Sequence, residues 1–139
     1  MLSEKDLSGA WRLVAHFYLE DDGSTSEGPM GNNADGLLIY HDDGYMAASL
    51  MRAERLTSDN GNPPPTYLGS ADDYLSYSGR WHVRGDTVVH QVFLGSHARV
   101  VNTEQVREVT LNGEELRLLR RLGGPHDSVV MDWRRAAPA

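Results

Sequence analysis

The chain has 139 residues, a net charge of −7 and no cysteine. A basic surface for nucleic acid is therefore not expected, and disulfides, thiolate metal sites and cysteine nucleophiles are excluded. No segment approaches the ~18 consecutive apolar residues of a membrane span, and the N-terminus lacks the apolar run of a signal peptide. We expect one intracellular, cytoplasmic domain over residues 1–139, with residues 1–6 and 136–139 as tails.

The first predicted strand covers residues 9–19 and alternates with a period of two, the mark of a strand with one dry face. The predicted inner face carries Trp11, Leu13, Ala15, Phe17 and Leu19. Its other face carries Arg12, Val14, His16 and Tyr18. Residues 20–35 and 52–70 are polar or contain consecutive prolines, which predicts two irregular loops of the kind that cover a cavity mouth.

The central prediction is a hairpin over residues 74–94 that turns at Gly85 and Asp86. A two-residue loop fixes the register, so that Arg84 pairs with Thr87, Val83 with Val88, Trp81 with His90, and Gly79 with Val92. One face then carries Tyr77, Trp81, Val83, Val88, His90 and Val92. Aromatic rings and a histidine within an apolar wall are more typical of a pocket lining than of a plain core.

Further strands are predicted at 36–40 and 45–51, then at 103–111, 115–121 and 128–134. If Asn112 and Gly113 form a two-residue loop, Val109 faces Leu116 and Arg107 faces Leu118. Eight short strands joined in sequence predict an all-β, eight-stranded antiparallel up-and-down barrel, with short helical turns at most near residues 1–8 and 71–74. A two-sheet sandwich is the alternative architecture.

Six motifs in order carry a resemblance that extends from residue 7 to 135. They are Leu7-x-Gly9-x-Trp11, Gly36–Tyr40 with Asp43–Met46, Tyr74-x-x-Tyr77-x-Gly79-x-Trp81, Gly85-Asp86-x-Val88-x-His90, Gln105-x-Arg107 and Trp133-x-Arg135. This pattern resembles the bacterial lipocalin-like domain family, a group of small calycin-type barrels. The resemblance implies that Trp11 packs at the closed end beneath Arg134 or Arg135.

Three inward polar residues are the candidate catalytic groups if the protein is an enzyme. His90 has an unperturbed pKa near 6.5 and could move a proton, together with Tyr77 on the neighbouring strand. Arg107 would share a face with apolar residues, where a charge is costly unless it is paired. It is either a structural ion pair or an anchor for a carboxylate, phenolate or carbonyl of a ligand. The equal alternative for His90 is a hydrogen-bonded wall residue.

The predicted ligand-binding residues are Tyr77, Trp81, His90, Val92, Arg107, Leu118, Phe17 and Met46. No metal site or other cofactor is expected, because the histidines lack ligand spacing. His97 and His126 are the candidates for haem ligation, a minor alternative that the resemblance leaves open.

Two functions from different classes fit these residues. The first is a barrel that encloses one small hydrophobic or aromatic molecule. The alternative is a cofactor-free cyclase, isomerase or dehydratase that acts on a polyketide- or terpenoid-like intermediate in natural-product biosynthesis. A structural domain with a filled interior is a third and weaker hypothesis. Neither nucleic acid nor membrane is an expected partner, and a homodimer would use the nominal outer residues Val14, Tyr18, Val89 and Phe93.

Overall fold

The computed structural model describes residues 1–53 and 73–139. Within them lie the four-residue helix α1 (Glu4–Leu7), nine strands and a 3-10 turn at Ala98–Val100. The strands are β1 (Gly9–Leu19), β2 (Thr25–Glu27), β3 (Ala34–Tyr40), β4 (Tyr45–Arg52), β5 (Tyr74–Arg84), β6 (Thr87–Gly95), β7 (Thr103–Asn112), β8 (Glu115–Arg121) and β9 (Ser128–Arg135). Most of the predicted 52–70 loop and the start of the predicted 71–74 turn lie outside the described residues. No described helix is long and apolar enough to cross a membrane.

The sheet is a closed antiparallel barrel. Its strands neighbour one another in the order β2-β1-β3-β4-β5-β6-β7-β8-β9, and β1 also pairs with β9 to close the circle. The short β2 runs beside the last three residues of β1 and lies within the segment predicted as a loop. The other eight strands form the wall, so the predicted all-β, eight-stranded up-and-down barrel is confirmed.

The β5–β6 hairpin has the predicted register. Trp81 pairs with His90, and Val83 with Val88, because Gly85 takes a positive φ of 63° in a two-residue turn. A bulge lies between Ser78 and Gly79, where a Cβ on Gly79 would collide with the backbone of β6. The extra residue is Phe93 of β6, so the alternation along β5 is uninterrupted and Tyr77 stays on the same face as Trp81.

The predicted register of the β7–β8 hairpin is wrong by two residues. Val109 pairs with Leu118, since the two-residue turn is formed by Gly113 and Glu114 rather than by Asn112 and Gly113. Gly113 supplies the positive φ, of 65°. A shift of two residues preserves the side-chain alternation, so Arg107 still faces inward although it is not opposite Leu118.

A bulge in β1 overturns the predicted face of Phe17. The register with β9 shifts between Leu13 and Ala15, so the alternation inverts beyond that point. His16 pairs with Met131 and is buried at 8% exposure, whereas Phe17 pairs with Val130 on the opposite face. The Arg117 guanidinium lies 5.6 Å from the Phe17 ring. The prediction that Phe17 lines the interior is therefore wrong, because one inserted residue exchanges the faces.

One end of the barrel is closed by α1. The Trp11 indole N–H donates a hydrogen bond of 2.9 Å to the Leu7 carbonyl, and both side chains are fully buried. Arg135 lies 4.2 Å from the Trp11 ring centroid and donates to the carbonyls of Ser8 and Asp6. The predicted packing of Trp11 against an arginine of the last strand is confirmed, with Arg135 as the partner.

The outer surface keeps only part of the predicted dimer patch. Val14 and Phe93 are exposed at 62% and 44%. Val89 is fully buried, and Tyr18 stacks on His126 at 3.8 Å between ring centroids. Val89 is therefore not available to a second copy of the chain, contrary to its predicted exposure.

Candidate binding site in the barrel interior

A histidine held between two tyrosines forms the polar centre of the interior. Tyr40 Oη lies 2.6 Å from His90 Nε2, and Tyr77 Oη lies 2.7 Å from His90 Nδ1. His90 and Tyr40 are each only 1% exposed. Tyr40 comes from the end of β3, Tyr77 from β5 and His90 from β6, so three strands of the wall contribute one side chain each.

His90 is neutral at physiological pH. Burial, and after it the nearby positive charge of Arg107, lower its pKa from 6.5 to about 3. A charged imidazole would lose its hydration in this environment without gaining a counter-ion. A neutral imidazole has one N–H donor and one acceptor nitrogen, so one tyrosine donates to His90 and the other accepts from it.

Burial decides which tyrosine is the donor. If Nε2 carried the proton, the Tyr40 hydroxyl would accept it, and its own proton would need another acceptor in a fully buried position. No further bond of that hydroxyl is found among the described residues. With the proton on Nδ1, Tyr40 donates to Nε2 and Tyr77 accepts from Nδ1. We assign this second tautomer, which leaves the Tyr77 O–H free to donate elsewhere.

Both tyrosines are protonated at physiological pH. Burial raises the pKa of Tyr77, and the positive charges of Arg107 and Arg120 oppose that rise. The pKa of Tyr40 is raised well above its ordinary value, chiefly by burial and then by the nearby Tyr77. Two positive charges oppose the rise of the Tyr77 pKa and only Arg107 opposes that of Tyr40, so Tyr77 loses a proton more readily than Tyr40.

Arg107 is a buried cation without a carboxylate partner among the described residues. It is 8% exposed, and its guanidinium donates to the Val106 carbonyl at 3.0 Å and to Gln105 Oε1 at 3.3 Å. Burial lowers its pKa, and the two tyrosine oxygens partly offset that shift. The alternative interpretation of Arg107 as half of a structural ion pair finds no partner in the described part of the chain.

Four of the predicted site residues border one small internal cavity of about 40 Å³. The lining residues are Leu38, Ala48, Leu50, Leu75, Tyr77, His90, Arg107, Leu118, Met131 and Trp133. A water molecule occupies roughly 30 Å³ of liquid, so this space holds about one water or one functional group of a ligand. Tyr77, His90, Arg107 and Leu118 thus share one inner wall, and the cavity beside them is small.

The remaining predicted residues lie elsewhere. Trp81 is buried against Tyr40, with its indole N–H bonded to the His41 carbonyl at 2.9 Å. Met46 and Val92 are buried at 4% and 3% exposure but do not border the cavity. Phe17 is on the outer face, as described above.

Sequence reasoning missed two polar members of the site. Tyr40 shares a face with Leu38 in the predicted strand 36–40, which was the available signal. Trp133 lines the cavity, and its indole N–H is buried without a hydrogen-bond partner in the described structure. Its alternation with Met131 places it inward, but only the structure shows that its N–H is unsatisfied.

A larger hollow of about 390 Å³ lies where β7 and β8 separate. It is lined by Glu104, Gln105, Val106, Arg107, Glu108, Leu119, Arg120 and Arg121. The β7–β8 ladder pairs residues 108–112 with 115–119 and stops there. Residues from the inner and outer faces border the same hollow, which an unbroken ladder would prevent. Arg107 borders both this hollow and the internal cavity.

No metal or haem site is assembled in the described residues. They contain no group of three or more histidine, aspartate or glutamate side chains that could hold a metal ion. His126 Nδ1 lies 2.8 Å from a Glu20 carboxylate oxygen, and His97 Nδ1 lies 2.7 Å from Ser96 Oγ. Neither histidine borders the internal cavity, so the haem alternative has no structural support.

The family model of the lipocalin-like domain matches residues 8–135, nearly the whole chain. The chain belongs to the lipocalin-like domain family. No protein of curated function matches the sequence significantly. The lipocalin-like fold suggests ligand binding in general, and a particular ligand must be argued from the side chains of this barrel.

Proposed function

We propose that this lipocalin-like barrel binds a small, largely apolar or aromatic molecule that carries a hydrogen-bond acceptor. The observation that carries the proposal is an excess of donors around an otherwise apolar cavity. In the tautomer assigned above Tyr77 has an O–H that is free to donate, Trp133 has an N–H without a partner in the described structure, and Arg107 is charged. Buried donors without acceptors are costly, and a carbonyl or oxyanion of a ligand would satisfy them.

The size of the cavity determines how binding would occur. A drug-sized ligand needs roughly 300 Å³ or more, whereas the described cavity has about 40 Å³. Only the acceptor group of the ligand fits without movement. The remainder would displace wall side chains, and Met131 suits this because an unbranched thioether repacks easily. We place this activity in the cytoplasm, in accordance with the cysteine-free composition.

A second candidate function is favoured by the Tyr40–His90–Tyr77 hydrogen-bond chain. Tyr77 would donate its proton to a carbonyl or alkene of the substrate, and the Nδ1–H of His90, whose Nε2 is held by the Tyr40 hydroxyl, would donate a hydrogen bond to the Tyr77 phenolate that remains. Arg107 would stabilise the negative charge of that phenolate. This is the acid half of a cyclase, isomerase or dehydratase mechanism. In this mechanism Tyr77 is the proton donor, because His90 is neutral and both of its ring nitrogens are bonded to the two tyrosines.

Native mass spectrometry of the purified protein tests the binding proposal. The wild type is expected to carry a co-purifying small molecule, and Tyr77→Phe is expected to lose most of it because the free O–H is removed. Tyr74→Phe is the matched control, since Tyr74 is an exposed tyrosine of the same strand. Equal retention by Tyr77→Phe and the control would overturn the role of Tyr77.

The same material separates binding from catalysis. The captured molecule is incubated with fresh protein, and its mass and retention time are followed by liquid chromatography. Conversion to an isomer or a dehydrated product by the wild type, and not by Tyr77→Phe, would establish the enzyme. An unchanged molecule that binds again with the same stoichiometry would establish the binding module.

A further inference from the structure

The gap between β7 and β8 contains the two arginines of these strands that have no carboxylate partner within residues 1–53 and 73–139. On the same strands, Arg117 pairs with Asp132 at 2.8 Å and Arg121 pairs with Glu108 at 3.0 Å. Arg107 and Arg120 make no ion pair with the described residues, although the chain carries 20 acidic residues and a net charge of −7. On β7 and β8, the arginines without an ion pair in the described structure are therefore the two that border the gap together.

These two arginines lie on the same face and near each other. Arg120 lies on the same inward face of β8 as Leu118, and Arg107 lies on the inward face of β7. Both border the hollow of about 390 Å³. Arg120 is near enough to lower the pKa of Arg107 by charge repulsion, and burial acts in the same direction. Two adjacent guanidinium groups repel each other, so an anion between them would remove the repulsion and partly neutralise the buried charge.

We propose that the β7–β8 gap is the binding site for the carboxylate of a small organic acid, held by Arg107 and Arg120. The planar guanidinium fork matches the two oxygens of a carboxylate. Arg107 also borders the internal cavity, so the same molecule can direct its apolar part toward Tyr77 and Trp133. The proposal therefore rests on the proposed function, and it adds the chemical class of the ligand, an organic carboxylate.

The acidic residues of the gap favour a singly charged ligand over a phosphate. Glu108 is held by Arg121, and Glu104 lies 3.4 Å from Arg84. Both carboxylates line the hollow and repel a dianion more strongly than a singly charged carboxylate. The site is thus predicted to prefer a carboxylate to a phosphate monoester of the same size.

Isothermal titration calorimetry with benzoate, benzamide and phenyl phosphate at one ionic strength tests the proposal. Benzoate is expected to bind about tenfold more tightly than benzamide, which corresponds to about 1.4 kcal/mol. Arg120→Gln should abolish this preference, because it removes one of the two guanidinium groups that hold the carboxylate. The variant should still fold, since Arg120 is exposed and is not part of the core. Arg134→Gln should retain it, since Arg134 is an exposed arginine that pairs with Glu115 outside the gap.

Each other outcome overturns the assignment. A benzoate preference that persists in Arg120→Gln, equal binding of benzoate and benzamide, or no benzoate binding at millimolar concentration would exclude the gap as a carboxylate site. Tighter binding of phenyl phosphate than of benzoate would exclude the proposed ligand class.

A Tyr77→Phe titration distinguishes this failure from that of the proposed function. If both neutral and charged ligands bind equally and Tyr77→Phe weakens both, binding in the interior stands and the gap site falls. If the benzoate preference depends on Arg120 but Tyr77→Phe changes neither ligand, the gap site stands and binding in the interior falls.

Discussion

Two regions of the barrel each contain a tryptophan and an arginine. They differ in whether the donor groups of these side chains have partners. At the closed end, the Trp11 indole N–H is bonded to Leu7, and Arg135 donates to two carbonyls and lies over the Trp11 ring. In the middle of the barrel, the Trp133 indole N–H has no partner, and Arg107 has no carboxylate among the described residues.

The difference separates a structural role from a binding role. The closed end satisfies its donors with backbone carbonyls, so nothing there calls for a ligand. The middle of the barrel has free donors beside a cavity and a break in the wall, which lowers stability unless something binds. The same two residue types therefore stabilise the fold in one place and prepare a site in the other.

The largest expected effect is at the closed end. Trp11→Ala should lower the free energy of unfolding by about 3–5 kcal/mol, because a fully buried ring and its hydrogen bond are lost. Urea denaturation measures this, with the exposed Val14→Ala as the control on the same strand. A loss below about 1 kcal/mol would contradict the structural role of Trp11.

The middle of the barrel should be sensitive to acid. The His90 pKa of about 3 lies below the ordinary 6.5, so its contribution to stability is complete above pH 6.5 and declines as the pH falls toward 3. Between pH 6.5 and 5 the loss approaches about 2 kcal/mol, at about 1.4 kcal/mol per unit.

The comparison of wild type with His90→Gln isolates this contribution. Both are denatured with urea at several pH values, and the wild type should show the steeper decline. His16, whose pKa is also lowered by burial, contributes in the same direction to both proteins and cancels. Parallel pH profiles would contradict the prediction, because they would mean that His90 binds its proton equally well in the folded and unfolded protein.

The smallest effect should come from the unpaired arginine. Arg107→Met is expected to change the free energy of unfolding by no more than about 1 kcal/mol, or to raise it, since an unpaired buried charge is exchanged for apolar volume. Arg135→Met should lower it by about 1–3 kcal/mol through the loss of the bonds to Ser8 and Asp6. Chemical denaturation of the two variants side by side compares them. Equal losses would remove the distinction between the two regions.

Much of the barrel could be predicted because its signals are local. Alternation and the Gly85–Asp86 turn were enough to pair Trp81 with His90, which placed Tyr77 and His90 on one inner face. Arg107 kept its inward face despite the wrong register of its hairpin, because a shift of two residues preserves alternation. The predicted inward face of Phe17 was wrong because a bulge of one residue inverts the two faces of β1, and such a bulge has no clear signal in the sequence.

The sequence by itself determined the eight strands of the wall, most of their inner faces and the inward position of Tyr77, His90 and Arg107, since these follow from a period of two and from turn chemistry. Only the tertiary structure decided that Tyr40 completes the hydrogen-bond chain, that the cavity beside it has a volume of only about 40 Å³ and that β7 and β8 separate beside Arg107. Each of these depends on how side chains from distant strands fill one interior, and close packing is not a property of any local segment.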